Sequence, residues 1–458
     1  MLQLSMKVSR FFVFFLLFCK VNLNLYLNNK SVMRKYLLLM VMIVSAMAAN
    51  AQFVKMKNGH FVRDGKPYYY VGTNFWYGAI LASNGQGGDR KRLHRELDRM
   101  KAMGIDNLRI LVGSDGERGV QASKVEPTLQ IKPGVYNDSI LDGLDYLLYE
   151  MQKRKMVAVL YLNNSWEWSG GYSFYLTHAG VKDVPTPQEA GYPAFMNFMA
   201  KYATNKKAHQ LFYNYVRFIL TRTNRYTGKK YQDDPAIMSW QIGNEPRAFS
   251  KEALPAFRQW IGEAAALIRS LDRNHLISIG SEGAWGCEND YKTWERICAD
   301  RNVDYCNIHL WPYNWSWARK DHLWDDLERS CQNTKEYIDN HLAICARLKK
   351  PLVMEEFGYP RDDFQYALGT PTRARDAYYK YVFSLVADNA ETGGNFAGCN
   401  FWGWGGYAQP RHEQWQVGDD YCGDPSQEAQ GLNSVFSGDE STLQVVKEQV
   451  ERMRKITN

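Results

Sequence analysis

Negative charge is missing from the first 51 residues, which carry Lys7, Arg10, Lys20, Lys30, Arg34 and Lys35 but no Asp or Glu. The 458-residue chain has 56 basic and 49 acidic side chains, a formal charge of +7; without that segment the count is 50 against 49, or +1. A general basic footprint for nucleic acid or anionic lipid is therefore excluded, and the expected partner is neutral. Long apolar runs are also missing. Phe11 to Phe18 and Tyr36 to Met47 both fall short of the roughly 20 residues that span a bilayer. Cysteine is scarce, 8 in the chain, with no C-x-x-C or Cys/His spacing, which argues against a zinc site and a disulfide-stapled scaffold. Neither Gly85-Gln86-Gly87-Gly88 nor Trp404-Gly405-Gly406 forms a P-loop or a dinucleotide fingerprint, and no G-x-S-x-G elbow is present. No cofactor and no metal are called for.

What is there, 45% hydrophobic and 23% charged residues, suits a large globular core. Arg34-Lys35, the apolar run and Ala49-Asn50-Ala51 have the order of a signal peptide with a small-x-small cleavage site. We expect residues 1–51 to be a signal peptide and upstream extension, with Met33 an alternative start, and cleavage near Ala51/Gln52 to yield an exported protein, secreted or periplasmic. Residues 52–458 then form one catalytic domain, read as a monomer without a membrane span. Setting Cys19 aside leaves seven cysteines, read as buried thiols with one or two bridges.

Past Gln52 there is no Pro/Ser-rich linker or low-complexity tract. Short apolar runs alternate with helix-period segments, the pattern of parallel β/α units. Strands are expected at Tyr69 to Gly72, Asn107 to Leu111, Val157 to Leu162, Ile237 to Gln241, Leu276 to Ile279, Tyr305 to His309, Leu352 to Glu356 and Gly398 to Trp402. The fifth connection has the weakest helical signal. Eight such units predict a (β/α)8 TIM barrel, α/β in class, whose site lies at the C-terminal ends of its strands. Long loops follow strands 3 and 8, from Asn163 to about Lys207 and from Trp402 to about Ser441, and both are rich in aromatics.

The strand ends carry Asn163-Asn164-Ser165-Trp166, Gly243-Asn244-Glu245-Pro246, His309-Leu310-Trp311, Glu356-Phe357-Gly358 and Trp402-Gly403-Trp404. Glu245 and Glu356 would overlook one barrel mouth. Paired carboxylates are the requirement of glycoside hydrolysis, about 5 Å apart for retention and roughly 6.5–9.5 Å for inversion. Asn244 can donate to a sugar hydroxyl. Trp76, Trp166, Trp168, Trp311, Trp402 and Trp404 offer flat faces on which sugar rings stack. His309 is read as a hydrogen-bond donor at the same rim. Arg109 points into the barrel, where a buried guanidinium needs a carboxylate partner. Period-two alternation sends Glu355 to the opposite side of the strand from Glu356.

At these residues the chain resembles glycoside hydrolase family 5 of clan A, and within it the endo-β-1,4-mannanases. The resemblance rests on Asn244-Glu245-Pro246, Glu356-Phe357-Gly358, the run from Asn163 to Gly171, the run from His309 to Trp315, the run from Asn400 to Gly406, and Gly423-Asp424-Pro425 running on to Gln430-Gly431. It implies a retaining hydrolase of internal β-1,4-mannosidic bonds in mannan, glucomannan or galactomannan, with Glu245 as acid/base and Glu356 as nucleophile. It further implies that Arg109 and His309 order and charge-balance the pair, that Asn244 meets the 2-hydroxyl, and that Trp76 and Trp402 hold sugars beside the cleaved bond. Asn164, Trp166 and Trp311 are the remaining candidates for substrate binding. Trp311 stands where many relatives have Tyr; an indole N–H replaces the phenol as a donor but cannot accept. Asn433 replaces an expected aromatic. The alternatives on the same fold are a β-glucan or xyloglucan endohydrolase, an exo-β-mannosidase, and a catalytically silent carbohydrate-binding protein.

Overall fold

Each of the eight apolar runs forms a strand in the computed structural model, which describes residues 53–116 and 124–457. The signal-peptide reading falls on residues outside that range. The strands are β1 Tyr70–Asn74, β2 Asn107–Leu111, β3 Val157–Tyr161, β4 Ile237–Gln241, β5 Leu276–Ser278, β6 Cys306–Leu310, β7 Leu352–Phe357 and β8 Phe396–Phe401. All neighbours pair in parallel, in the order β5-β4-β3-β2-β1-β8-β7-β6. Helices follow as α1 Arg90–Met103, α2 Asp138–Lys153, α3 Lys206–Leu220, α4 Leu254–Leu271, α5 Tyr291–Cys298, α6 Leu327–Leu348, α7 Arg373–Glu391 and α8 Glu440–Thr457. The predicted TIM barrel is the observed one. The weak fifth connection contains the shortest of these helices, α5, only 8 residues long and capped by the Asp290 side chain.

Alternation along the strands separates two apolar layers. Leu108, Ile110, Ala158 and Leu160 pack outward in the main core with the helices. Val157, Val159, Val353, Ala397 and Tyr305 fill the barrel with Phe61 from the N-terminal segment. On β2 the inward positions are Asn107 and Arg109, so polar groups sit inside the barrel above an apolar plug.

One seam has no backbone ladder of its own. Between β5 and β6 a single short backbone bond, Asp304 N to Ile277 O at 2.8 Å, is reinforced by side chains: Asn307 Oδ1 accepts from Ile279 N at 3.1 Å and Gly280 N at 2.9 Å, and Asp304 Oδ2 accepts from Ile277 N at 2.7 Å. Gly280 adopts φ +79°, and a Cβ there would meet Gly243 O at 1.9 Å, so only glycine fits the turn that leads into the site. The seven cysteines of the described residues are all free thiols, so the bridges expected above are absent among them. Six of them are buried, five within the main apolar core, where a thiol packs as a small hydrophobe, while Cys422 donates to Gln430 Oε1 at 3.3 Å.

Asn307→Ala leaves two buried N–H groups without an acceptor. At about 1–3 kcal/mol for each orphaned group, urea unfolding should show a loss of about 2 kcal/mol or more; an unchanged midpoint would refute the seam.

Candidate active site

A cleft of about 820 Å³ opens at the C-terminal ends of the strands. Its walls come from three loops: Trp166, Glu167, Trp168, Tyr192 and Met196 after β3, Trp402, Pro425, Gln427, Glu428 and Asn433 after β8, and the segment from Trp311 to Lys320 after β6. Glu245 and Glu356 form its floor.

Glu245 follows β4 in a left-handed backbone conformation, φ +48°, which a non-glycine residue adopts only where its surroundings hold it. Glu245 N donates to Gly280 O at 2.9 Å, and Ser165 Oγ donates to Glu245 O at 2.5 Å. The loops after β3 and β5 thus aim its side chain across the barrel. Trp166 Nε1 donates to Oε2 at 2.5 Å, and His309 Nδ1 lies 2.8 Å from Oε1.

Glu356 reaches the same place by a different device. The β6/β7 register runs Ile308 with Met354 and then His309 with Glu356, leaving Glu355 as an extra residue. This bulge shifts the phase of the strand. Phe357 consequently turns outward onto Tyr379 and Phe383 of α7, and Glu356 turns to the cleft. The expectation that Glu355 points away is corrected: both acids face the barrel axis, Glu355 one level deeper. Gln241 Nε2 donates to its Oε2 at 2.5 Å, and Tyr305 Oη donates to its Oε1 at 3.2 Å.

Arg109 lies beneath the pair, fully buried. Its Nη1 donates to Glu356 Oε1 and, at 3.1 Å, to Asn74 Oδ1; Nη2 donates to Asn244 Oδ1 at 2.9 Å, and Nε to Gln241 Oε1 at 2.8 Å. The Tyr161 ring backs the guanidinium at 4.4 Å. Trp311 Nε1 donates to Glu356 Oε2 at 3.2 Å, so the indole does take the donor place of a phenol. One oxygen from each catalytic-position carboxyl and one ring nitrogen of His309 lie within 4.8 Å of one another. Oxygens that approach this closely suit a retaining pair, whose carboxyls stand about 5 Å apart, better than the wider inverting arrangement.

The electrostatics follow from burial. Burial lifts Glu245, while Arg247, the Trp166 N–H and Arg109 pull it down. Glu356 is lifted by burial too, then lowered by Arg109 and raised again by Glu245. Two like charges this close under one cation titrate as a unit and retain a shared proton. The guanidinium touches only Glu356, a contact that favours the charge on Glu356 and the shared proton on Glu245. Burial and then Arg109 hold His309 well below its usual range. It is therefore neutral, and its two acceptor neighbours, Glu245 and Glu356 at 2.8 and 3.3 Å, assign the ring proton to Nδ1.

Of the sequence candidates, Trp166, Trp168, Asn244, Glu245, Trp311, Glu356 and Trp402 line the cleft. Arg109 and His309 contact the carboxyls from below rather than the open space. Asn244 Oδ1 is taken by Arg109 and Nδ2 gives one proton to Asn164 Oδ1 at 3.3 Å, leaving the other to donate into the cleft. Asn164 is a correction: it is fully buried behind Asn244, with its amide on Ser169 Oγ at 3.0 Å and Trp166 N at 3.0 Å. Trp76 is another. Its N–H is spent on Gly423 O at 2.9 Å and its ring is wedged against Trp168 and Tyr421. Trp404 likewise binds Glu96 Oε2 of α1 at 2.8 Å.

Sequence reasoning passed over Arg247, which forms a two-point ion pair with Glu282 at 2.5 and 2.8 Å and lies 5.2 Å from the Trp166 ring. Its position directly after Asn244-Glu245-Pro246, with Glu282 at the end of the adjacent strand, was the available signal. Trp285, stacked on Trp315 at 4.7 Å, and Glu428 also line the cleft. Burial, with Asp424 and Glu245 nearby, pushes Glu428 up to about 8.

Comparison with known proteins agrees with this geometry. The family described as GH family 5 beta-mannosidase-like matches residues 51–458. Mannan endo-1,4-beta-mannosidase 1 of Oryza sativa subsp. japonica is 30% identical over 371 residues, 78% of this chain and 79% of that protein. A glycoside hydrolase family 5 mannosidase from Rhizomucor miehei, also solved with mannosyl-fructose, is 33% identical at a TM-score of 0.81, covering 88% of this chain and 98% of its own. The endo-1,4-beta-mannanase of Rhizomucor miehei is 25% identical at a TM-score of 0.64, covering 88% and 100%. The chain is a member of glycoside hydrolase family 5, in its beta-mannosidase-like group.

Proposed function

We propose that the protein is a retaining glycoside hydrolase that cleaves internal β-1,4-mannosidic linkages of mannan, glucomannan or galactomannan by double displacement, and that it acts after export. The observation that carries this reading is the pair of carboxyl oxygens within 4.8 Å, with a guanidinium on one acid only. The names of the relatives supply the sugar; an open cleft walled on both sides by tryptophan and tyrosine suits a chain that runs through it.

In the first step a Glu356 oxygen attacks the anomeric carbon while Glu245 gives its proton to the glycosidic oxygen. The carbon–oxygen bond to the leaving sugar breaks and a glycosyl ester to Glu356 forms. In the second step Glu245, now ionised, takes a proton from water, the water oxygen bonds to the anomeric carbon, and Glu356 leaves as carboxylate. Arg109 and the Trp311 N–H stabilise the ionised Glu356 before attack and after release. His309 Nδ1–H hydrogen-bonds Glu245 and orients it without carrying charge. Asn244 has one N–H left for the hydroxyl next to the reacting carbon. The scheme needs Glu245 protonated, so kcat/KM falls as pH rises through its burial-raised pKa; on the acid side it falls as Glu356 takes up a proton.

A second reading, attack at chain ends, is favoured by one observation: the Rhizomucor miehei mannosidase superposes with the higher TM-score, 0.81 against 0.64 for the endo-mannanase. Chromatography of early products separates the two, since internal cleavage gives mixed oligomers and end cleavage gives a single small sugar.

Reducing sugar should appear from mannan and not from cellulose or xyloglucan assayed in parallel; release from cellulose alone would overturn the sugar assignment. Glu356→Gln and Glu245→Gln should each lose about a thousandfold or more in kcat, the scale of a removed member of a catalytic unit, while polysaccharide binding in affinity electrophoresis persists. Parental activity in either would reject these roles.

A further inference from the structure

The reaction scheme leaves one buried acid of the barrel unused. Glu355 is almost fully buried, one residue before the nucleophile position, and the bulge turns it inward rather than into the helical shell. Its carboxyl makes no contact with the cleft. We propose that Glu355 is a positioning residue for Glu356, holding the Arg109 guanidinium in place so that the nucleophile's charge and aim depend on a side chain that never meets the sugar. This rests on the reading of Glu356 as nucleophile.

The geometry supplies two routes. Gln241 Nε2 donates to Glu355 Oε2 at 2.5 Å and to Ser278 Oγ at 3.0 Å, which fixes the amide so that its oxygen faces Arg109 Nε at 2.8 Å. Rotated by half a turn, that amide would present N–H to N–H. The Glu355 backbone carbonyl accepts from Asn74 Nδ2 at 2.8 Å, and this turns Asn74 Oδ1 toward Arg109 Nη1 at 3.1 Å. Two of the four acceptors around the guanidinium are therefore oriented by Glu355, one through its side chain and one through its main chain. The carboxyl also lies 3.9 Å from Arg109 Nε, close enough to draw on the same charge.

That closeness makes protonation matter. The charged or titratable groups around Glu355 are Arg109 from β2, Tyr305 at the foot of β6, Tyr70 from β1 with Cys399 of β8 beyond it, and Glu356 itself. Burial pushes Glu355 up to about 7, against the opposing pull of Arg109, Gln241 and Tyr305. In mildly acidic solution the side chain is a neutral acid, its proton directed at Tyr305 Oη, and the full charge of Arg109 serves Glu356. Above neutrality Glu355 ionises and competes for the guanidinium. A glutamine can mimic the neutral form, since its carbonyl accepts from Gln241 and its N–H meets Tyr305 Oη; a leucine cannot.

The test compares the parent, Glu355→Gln and Glu355→Leu on one β-mannoside, with Tm recorded for each. Glu355→Leu should lose at least about tenfold in kcat with KM within about threefold, the signature of a misaimed group rather than a lost sugar contact. Glu355→Gln should recover at least about a third of parental kcat at pH 5.5. The variant-to-parent ratio of kcat should then rise about threefold or more by pH 8, because the competing ionisation is gone. A Leu variant with parental kcat, or a Gln variant whose ratio stays flat with pH, overturns the proposal; a purely packing role would lower Tm without moving that ratio. A parent inactive on β-mannosides would instead overturn the function proposed above, so the two failures are distinct.

Discussion

One guanidinium holds the active site together. Arg109 is taken wholly out of water at the centre of the barrel, where an unpaired charge is untenable, and every one of its donors used here ends on an oxygen of a different strand or loop: Asn74 from β1, Gln241 from β4, Asn244 after β4, Glu356 from β7. These bonds satisfy the charge and at the same time place Glu356, the proposed nucleophile. Removing any one acceptor would loosen the aim of Glu356 as well as cost stability, because a buried ion pair is stabilising only while its hydrogen-bond shell is complete.

The same cation breaks the symmetry of the two acids. Both are buried and both are pushed toward the neutral form, yet they must do opposite things. Contact with Arg109 and Trp311 marks Glu356 as the charged member, whereas Glu245 has only neutral N–H donors, from Trp166 and His309, on its carboxyl oxygens. Separation of roles therefore comes from which acid touches the guanidinium rather than from exposure, which is nearly equal for the two.

Much of this was legible in the amino-acid sequence. The eight strands, two of the three wall-forming loops and the two acids at strand ends followed from periodicity and from where polar residues interrupt apolar runs; Arg109 stood out as a charge inside an inward-facing strand. What was not legible has physical reasons. Trp76 and Trp404 carry the same glycine and asparagine neighbours as Trp402, and only the partners of their N–H groups, Gly423 O and Glu96, reveal them as structural. The inward turn of Glu355 depends on a bulge against β6, and a one-residue slip between two strands leaves no mark in either alone. Arg247 and Glu282 lie 35 residues apart beyond the ends of the paired strands β4 and β5, so the signal is there only for a reader who has already set those two strand ends side by side.

The double displacement depends on the short distance between the acids and on Glu356 being free to bond to carbon. Proton NMR of the sugar released in the first minutes of cleavage reads this directly. The account predicts that the β-anomer appears first, with the α-anomer growing in later by mutarotation; an α-anomer at the earliest time point would mean that water attacks in a single step, and would contradict it.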